Sequence, residues 1–204
     1  MPDIKLAKDP YNVIITGVGG QGNVLASRLL GGMLAKKGFL VTIGETFGAS
    51  QRGGSVMSHL RISREVLASP QIPKGRADVV VSLEPAEALR VLALYGNPAT
   101  ILLTNNHPIY PVGVIKGDMV YPPVAEMEAA VREVLPAVHF IAATARALTL
   151  GNSILVNIVM LGALGRLDVV PFNREEFKEA IAARLAAGQL AINLQAFDEG
   201  YGMV

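Results

Sequence analysis

The sequence predicts one α/β domain, an open and mostly parallel sheet with helices on both faces and a Rossmann-like first strand–helix–strand unit. Three observations predict it. Short apolar runs rich in Val, Ile and Leu alternate with longer segments whose apolar residues recur at helical spacing, an alternation that builds sheets covered on both faces. A glycine turn, Gly17-Val18-Gly19-Gly20-Gln21-Gly22, joins the first apolar run to the first helical segment. No internal repeat or low-complexity linker interrupts the 204 residues, a length that suits one domain. Residues 1–204 are therefore expected to be a single domain, with the helices of residues 152–199 packing on it.

The elements follow in order. Residues 11–16 read as a short buried strand. Residues 23–37 carry Val24, Leu25, Leu29, Met33 and Leu34 at helical spacing and stop at Gly38, a glycine suited to ending a helix. Residues 39–43 give a second strand, which completes a βαβ unit with a right-handed crossover. Residues 44–55 mix four glycines with polar side chains and read as a long loop, functional or disordered. Residues 56–62 alternate apolar and polar and read as a half-exposed strand. Residues 78–83 form a buried strand, and Glu84-Pro85 opens a helix that runs to about residue 95, with Pro in its first turn. Residues 100–104 are a further buried strand. Residues 105–124 are rich in Pro and Gly, with a short strand expected at 119–121. An amphipathic helix over 125–135, a short strand over 138–142 and a helical segment over 143–150 come next. An apolar helix over 152–165, a charged amphipathic helix over 174–187 and a short helix over 189–197 finish the chain.

Composition excludes several classes of function. There is no cysteine, so the chain forms no disulfide, offers no thiolate nucleophile and cannot ligate an ordinary iron–sulfur cluster. Net charge is +1 without a basic block, and there is no Trp, so neither a phosphate-tracking surface nor a base-stacking platform is expected. The first ten residues lack the apolar core of a signal peptide. The longest apolar stretch, residues 154–164, is interrupted by Asn157 and falls short of the roughly 20 residues a membrane span needs. A cytoplasmic protein is expected, with neither nucleic acid nor membrane as partner. The hydrophobic fraction is 51% and the charged fraction 17%. That balance fits either a surface buried on a partner or a large core under thin loops.

The glycine turn has the spacing Gly17-x-Gly19-x-x-Gly22, between a strand and a helix. That context lets backbone amides and the positive end of a helix dipole approach a phosphate. The same glycines could instead serve tight strand–helix packing. Glu45 lies where a ribose-binding acid would sit in a dinucleotide fold. The following stretch, Thr46-Phe47-Gly48-Ala49-Ser50-Gln51-Arg52-Gly53-Gly54-Ser55, does not enter a helix as a plain dinucleotide domain would. Its hydroxyls, amide and Arg52 could wrap a phosphate or a partner's peptide, or face solvent. His59, His107 and His139 lack metal-ligand spacing. There is no GxSxG elbow, Walker A lysine or HExxH. Asn152 reads as a helix cap, and Asn157 as a structural or interface amide. Glu84 stands at a strand end, either in a ligand crevice or as a first-turn acid. No catalytic residue and no metal ligand is assigned.

Taken together, these residues resemble a known family. The glycine turn, the run Gly44-Glu45-Thr46-Phe47-Gly48-Ala49-Ser50-Gln51-Arg52-Gly53-Gly54-Ser55 with Ser58-His59-Leu60-Arg61, and Ala77-Asp78 with Glu84-Pro85 are similar to the gamma-type domain of 2-oxoacid:ferredoxin oxidoreductases. The specific part is Gln51-Arg52-Gly53-Gly54. The resemblance runs from residue 11 to 165 and is looser in the C-terminal helices. Chain length and the start Gly44-Glu45-Thr46-Phe47-Gly48 resemble most the small (beta) subunits of indolepyruvate oxidoreductases.

The resemblance implies a subunit inactive alone. Its complex would oxidatively decarboxylate a 2-oxoacid, an aryl or branched one such as indolepyruvate, to an acyl-coenzyme A and reduce ferredoxin. Thiamine diphosphate and iron–sulfur clusters would be carried by partner subunits, with this chain on the coenzyme A side. Candidate cofactor-contacting residues are Gly17, Gly19, Gly20, Gln21, Gly22, Glu45, Ser50, Gln51, Arg52, Gly53 and Gly54, through coenzyme A phosphates or the partner subunit. Without its partner the chain is free to self-associate through apolar surface. Two other readings stand beside this one: a stand-alone NAD(P)-binding oxidoreductase, and an assembly module without ligand contacts.

Overall fold

Every residue of the first strand is buried, so the apolar residues Val13, Ile14 and Ile15 follow one another without alternation. A computed structural model describes residues 6–48, 54–184 and 188–204. The strands are β1 (Tyr11–Val18), β2 (Leu40–Phe47), β3 (Ser55–Ser63), β4 (Val79–Ser82), β5 (Ile101–Asn105) and β6 (Ala137–Ile141). They form one six-stranded sheet in the order β2-β3-β1-β4-β5-β6. The helices are α1 (Asn23–Lys36), α2 (Pro85–Tyr95), α3 (Val112–Ile115), α4 (Val124–Val134), α5 (Ala143–Thr149), α6 (Val156–Arg166), α7 (Arg174–Ala182) and α8 (Leu190–Tyr201).

Both faces of the sheet are covered. Val13, Ile15, Leu60 and Val81 pack on one side with Leu29 of α1, Ile158 of α6 and Phe177 of α7. Ile14, Val80 and Leu102 pack on the other with Val91 of α2 and Val131 of α4. Each buried Val, Leu or Ile side chain contributes about 1.5–3 kcal/mol. The C-terminal helices dock at backbone contact: a Cβ at Gly200 would lie 1.8 Å from the Val159 carbonyl oxygen, so α6 and α8 meet where no side chain fits. Phe177 and Phe197 stack with ring centroids 4.5 Å apart and tie α7 to α8.

The sheet is mixed, as one strand runs against the others. β1 pairs in parallel with β4, β4 with β5, and β5 with β6. β3 is antiparallel to both β1 and β2 because the chain returns from β2 by a hairpin, and a parallel return needs a crossover. Three expectations change as a result. Residues 44–47 belong to β2, so the predicted loop is shorter at its start. β3 is an interior strand and mostly buried, not half-exposed. The first βαβ unit is split, with β3 lying between β1 and β2. The strand expected at 119–121 is absent, and those residues carry no regular structure. β5 is flanked on both sides, by β4 and β6. The helix over 174–187 ends at Ala182, and residues 185–187 lie outside the described residues.

Candidate functional site

The glycine turn closes the carboxyl end of β1. Gly20 and Gly22 have φ of +102° and +83°, in the left-handed region that favours glycine. Gly22 is the N-cap residue of α1, and a Cβ there would lie 2.1 Å from Asn157 Nδ2. Asn157 Nδ2 donates to the Gly22 carbonyl at 3.3 Å, which gives the buried amide the partner its burial demands. A Cβ at Gly17 would lie 2.5 Å from Gln21 Oε1.

Gln21 folds inward. Its Oε1 accepts from Val18 N–H at 2.7 Å and its Nε2 donates to the Leu83 carbonyl at 2.8 Å. Its amide thus pins the turn to the end of β4, and Gly20 is left exposed at the tip of the turn. No side chain caps α1 and no acid stands in its first turn, so the positive end of its dipole is uncompensated at the turn.

A cavity of about 350 Å³ opens beside the turn, lined by Gly19, Gly20, His107, Ile109, Thr144 and Ser153 among others. It lies at the carboxyl ends of β1 and β5, where open α/β sheets bind ligands. Asn105, at the end of β5, holds the lining residue Thr144 in place from behind. Asn105 Nδ2 donates to the Leu83 carbonyl at 3.1 Å and to Thr144 Oγ1 at 2.8 Å, and Thr144 N–H donates to Asn105 Oδ1 at 3.1 Å. Sequence reasoning missed Asn105, Thr144 and Ser153. The available signal was an Asn closing an apolar strand, a position that marks a turn toward the crevice.

The remaining sequence candidates separate into three groups. Gly54 is brought to the glycine turn, since its carbonyl accepts from Gly19 N–H at 2.9 Å. Ser55, next along, donates from Oγ to Glu87 Oε2 at 2.6 Å. Ser50, Gln51, Arg52 and Gly53 lie outside the described residues. Glu45 is not brought to the turn. It sits on β2, beyond β3, and pairs with Arg28 Nε at 3.3 Å. A ribose-binding acid needs the second strand beside the first, and the inserted β3 removes that geometry.

Glu84 stands between β4 and α2, as the N-cap residue rather than in the first turn. It caps α2, with Oε2 accepting from Glu87 N–H at 2.9 Å, and it lies at the carboxyl edge of the sheet. Its Oε1 accepts from Ile109 N–H at 3.3 Å and from the Tyr121 hydroxyl. Burial and the Glu84 carboxylate hold that phenol well above the ordinary tyrosine range. Asn152 caps the turn leading into α6, accepting from Ile154 N–H at 3.0 Å. His59 is 2% exposed between β3 neighbours and meets Tyr95 edge-on at 5.1 Å. Burial lowers its pKa. Among the described residues no group of three His, Asp or Glu could hold a metal ion.

Fold and site define a Rossmann-like α/β domain whose glycine turn meets an uncapped helix start, without an acid placed as the ribose acid of a dinucleotide domain is. Comparison with known proteins narrows this class. The chain belongs to the pyruvate ferredoxin/flavodoxin oxidoreductase family, whose model matches residues 12–203. It is 38% identical to the indolepyruvate oxidoreductase subunit IorB of Thermococcus kodakarensis, over 93% of this chain and 94% of that one. It is 40% identical to the IorB subunit of Pyrococcus horikoshii, with the same coverage. A solved 2-oxoglutarate:ferredoxin oxidoreductase from Magnetococcus marinus, with 2-oxoglutarate, coenzyme A and succinyl-CoA bound, shares the fold at a TM-score of 0.73 and 23% identity. That likeness covers 96% of this chain and 31% of the longer one. These relatives are oxidoreductases acting on 2-oxoacids, and they favour the subunit reading over a stand-alone NAD(P)-binding enzyme.

Proposed function

We propose that the chain is the small subunit of a 2-oxoacid:ferredoxin oxidoreductase that takes an aryl 2-oxoacid such as indolepyruvate. Identity of 38% and 40% along nearly the whole of two such subunits carries this reading. The cysteine-free sequence agrees with it. An iron–sulfur cluster has no ligand set here, so clusters belong to a partner subunit, and the resemblance to the family assigns thiamine diphosphate to a partner as well. No helix among the described residues is long and apolar enough to cross a membrane, which suits a complex working in the cytoplasm.

This chain's own contribution is binding. The exposed backbone at Gly20 and the uncapped start of α1 suit a phosphate of coenzyme A. Ile109 and Ile154, on the wall of the same cavity, suit the less polar arm. Ser50, Gln51, Arg52 and Gly53 immediately precede Gly54 in sequence, and Gly54 bonds to the turn; we assign these four residues to the same ligand or to the partner subunit. Arg52 would supply the charge-assisted contact.

The test is a complex reconstituted anaerobically with its thiamine-bearing partner and assayed by viologen reduction against indolepyruvate, phenylpyruvate, 2-oxoisovalerate and pyruvate. Turnover that needs coenzyme A and is fastest with indolepyruvate is expected. Turnover independent of this chain, or a nicotinamide cofactor bound by the chain alone, overturns the reading.

A further inference from the structure

Glu84 is 1% exposed, and a carboxylate so buried must have its lone pairs filled. Capping α2 uses one oxygen. A Ser or Asn would cap as well, so the cap does not account for the longer acid. The other oxygen holds two points of the segment 106–123, the Ile109 N–H and the Tyr121 hydroxyl. Between those points the segment is weakly anchored. No residue of α3 is buried, and Val112, Ile115, Met119 and Val120 are exposed. Tyr110 meets Tyr121 edge-on at 5.1 Å, so the ring that touches Glu84 also steadies the strap.

Ile109 is the partition between two cavities. It lines the 350 Å³ cavity with Gly19 and Gly20. It also lines a second one of about 160 Å³, with Glu84 and Tyr121, under the strap. If Glu84 released Ile109, the wall of the larger cavity would move. We propose that Glu84 is a positioning residue: by holding Ile109 and Tyr121 it fixes the strap as a wall of the glycine-turn cavity and sets the fit of the ligand there. The inference rests on the reading of that cavity as the coenzyme A side of the enzyme.

Two variants separate this role from helix capping. Glu84→Ser keeps a capping oxygen on α2 but cannot reach the strap. Tyr121→Phe leaves the cap untouched and removes one tether. In hydrogen exchange on the full chain, amides of residues 109–121 are expected to exchange about tenfold faster in both variants, while α2 stays protected. In the reconstituted complex the coenzyme A KM is expected to rise about fivefold, with kcat within about twofold of wild type. Unchanged exchange over 109–121, or faster exchange with an unmoved KM, overturns the positioning role. If wild-type turnover does not depend on coenzyme A, the functional reading fails, and this inference fails with it. If it does depend on coenzyme A and the variants match wild type, this inference alone fails.

Discussion

The carboxyl edge around Leu83 and Glu84 and the limb formed by β2 and β3 handle buried polarity in opposite ways. At the carboxyl edge the Leu83 carbonyl accepts from both Gln21 and Asn105, and the Glu84 carboxylate takes three donors. These bonds join residues 22 to 62 positions apart, apart from the local cap. On the limb, Thr42 Oγ1, Ser58 Oγ and His59 Nε2 have no partner among the described residues. The one comparable atom at the other edge is Asn23 Oδ1. The contrast separates two ways of placing a loop. The cavity loops are strung by side chains on one junction, whereas the limb is set by strand register and packing. Changes at the junction should therefore cost stability and shape, and changes on the limb should alter mainly its response to pH.

The largest effect is expected at Asn105. Asn105→Ala removes three buried hydrogen bonds and leaves Leu83 and Thr144 underpaired. A loss of about 3 kcal/mol in denaturant unfolding is expected, and a loss below about 1 kcal/mol would erase the contrast. Gln21→Ala strips two bonds from the turn and should cost about 2 kcal/mol.

His59 tests the limb. Its pKa is lowered in the folded chain by burial, so the folded state binds a proton less readily than the unfolded one. The stability it contributes is fully present above the unfolded value of about 6.5 and is lost as pH falls below it, toward the lowered folded value, by at most about 1.4 kcal/mol per pH unit. His59→Phe should flatten unfolding free energy against pH across that window. An unchanged slope would show that His59 is not the group responsible. The smallest effect is expected for Ser58→Ala. Its hydroxyl has no partner among the described residues, so stability should move by less than about 0.5 kcal/mol. A loss above 1 kcal/mol would point to a buried water on Ser58.

The same contrast explains what could be read from the chain. Local chemistry was legible: Glu84-Pro85 opens α2, Gly38 follows α1 with φ of +84°, and Asn152 caps the turn before α6. The glycine turn was legible too, because its spacing and its place between strand and helix are both local. Strand direction was not. Nothing in the side chains of residues 56–62 reveals that they run against β1 and displace Glu45 from the turn. The Asn105–Thr144 pairing was invisible for a related reason, since its members are 39 residues apart. The strap misled because Met119, Val120 and Tyr121 look like a strand between Gly and Pro. Apolar pattern alone cannot say which segments the sheet takes in.

The most direct test is anaerobic purification of the tagged chain from its native cells, with iron and thiamine measured in the eluate. A cysteine-rich partner in stoichiometric amount, carrying thiamine diphosphate and iron, is the expected result. A chain that emerges alone, without iron or thiamine, and binds a nicotinamide cofactor would contradict its place as a subunit of a 2-oxoacid oxidoreductase.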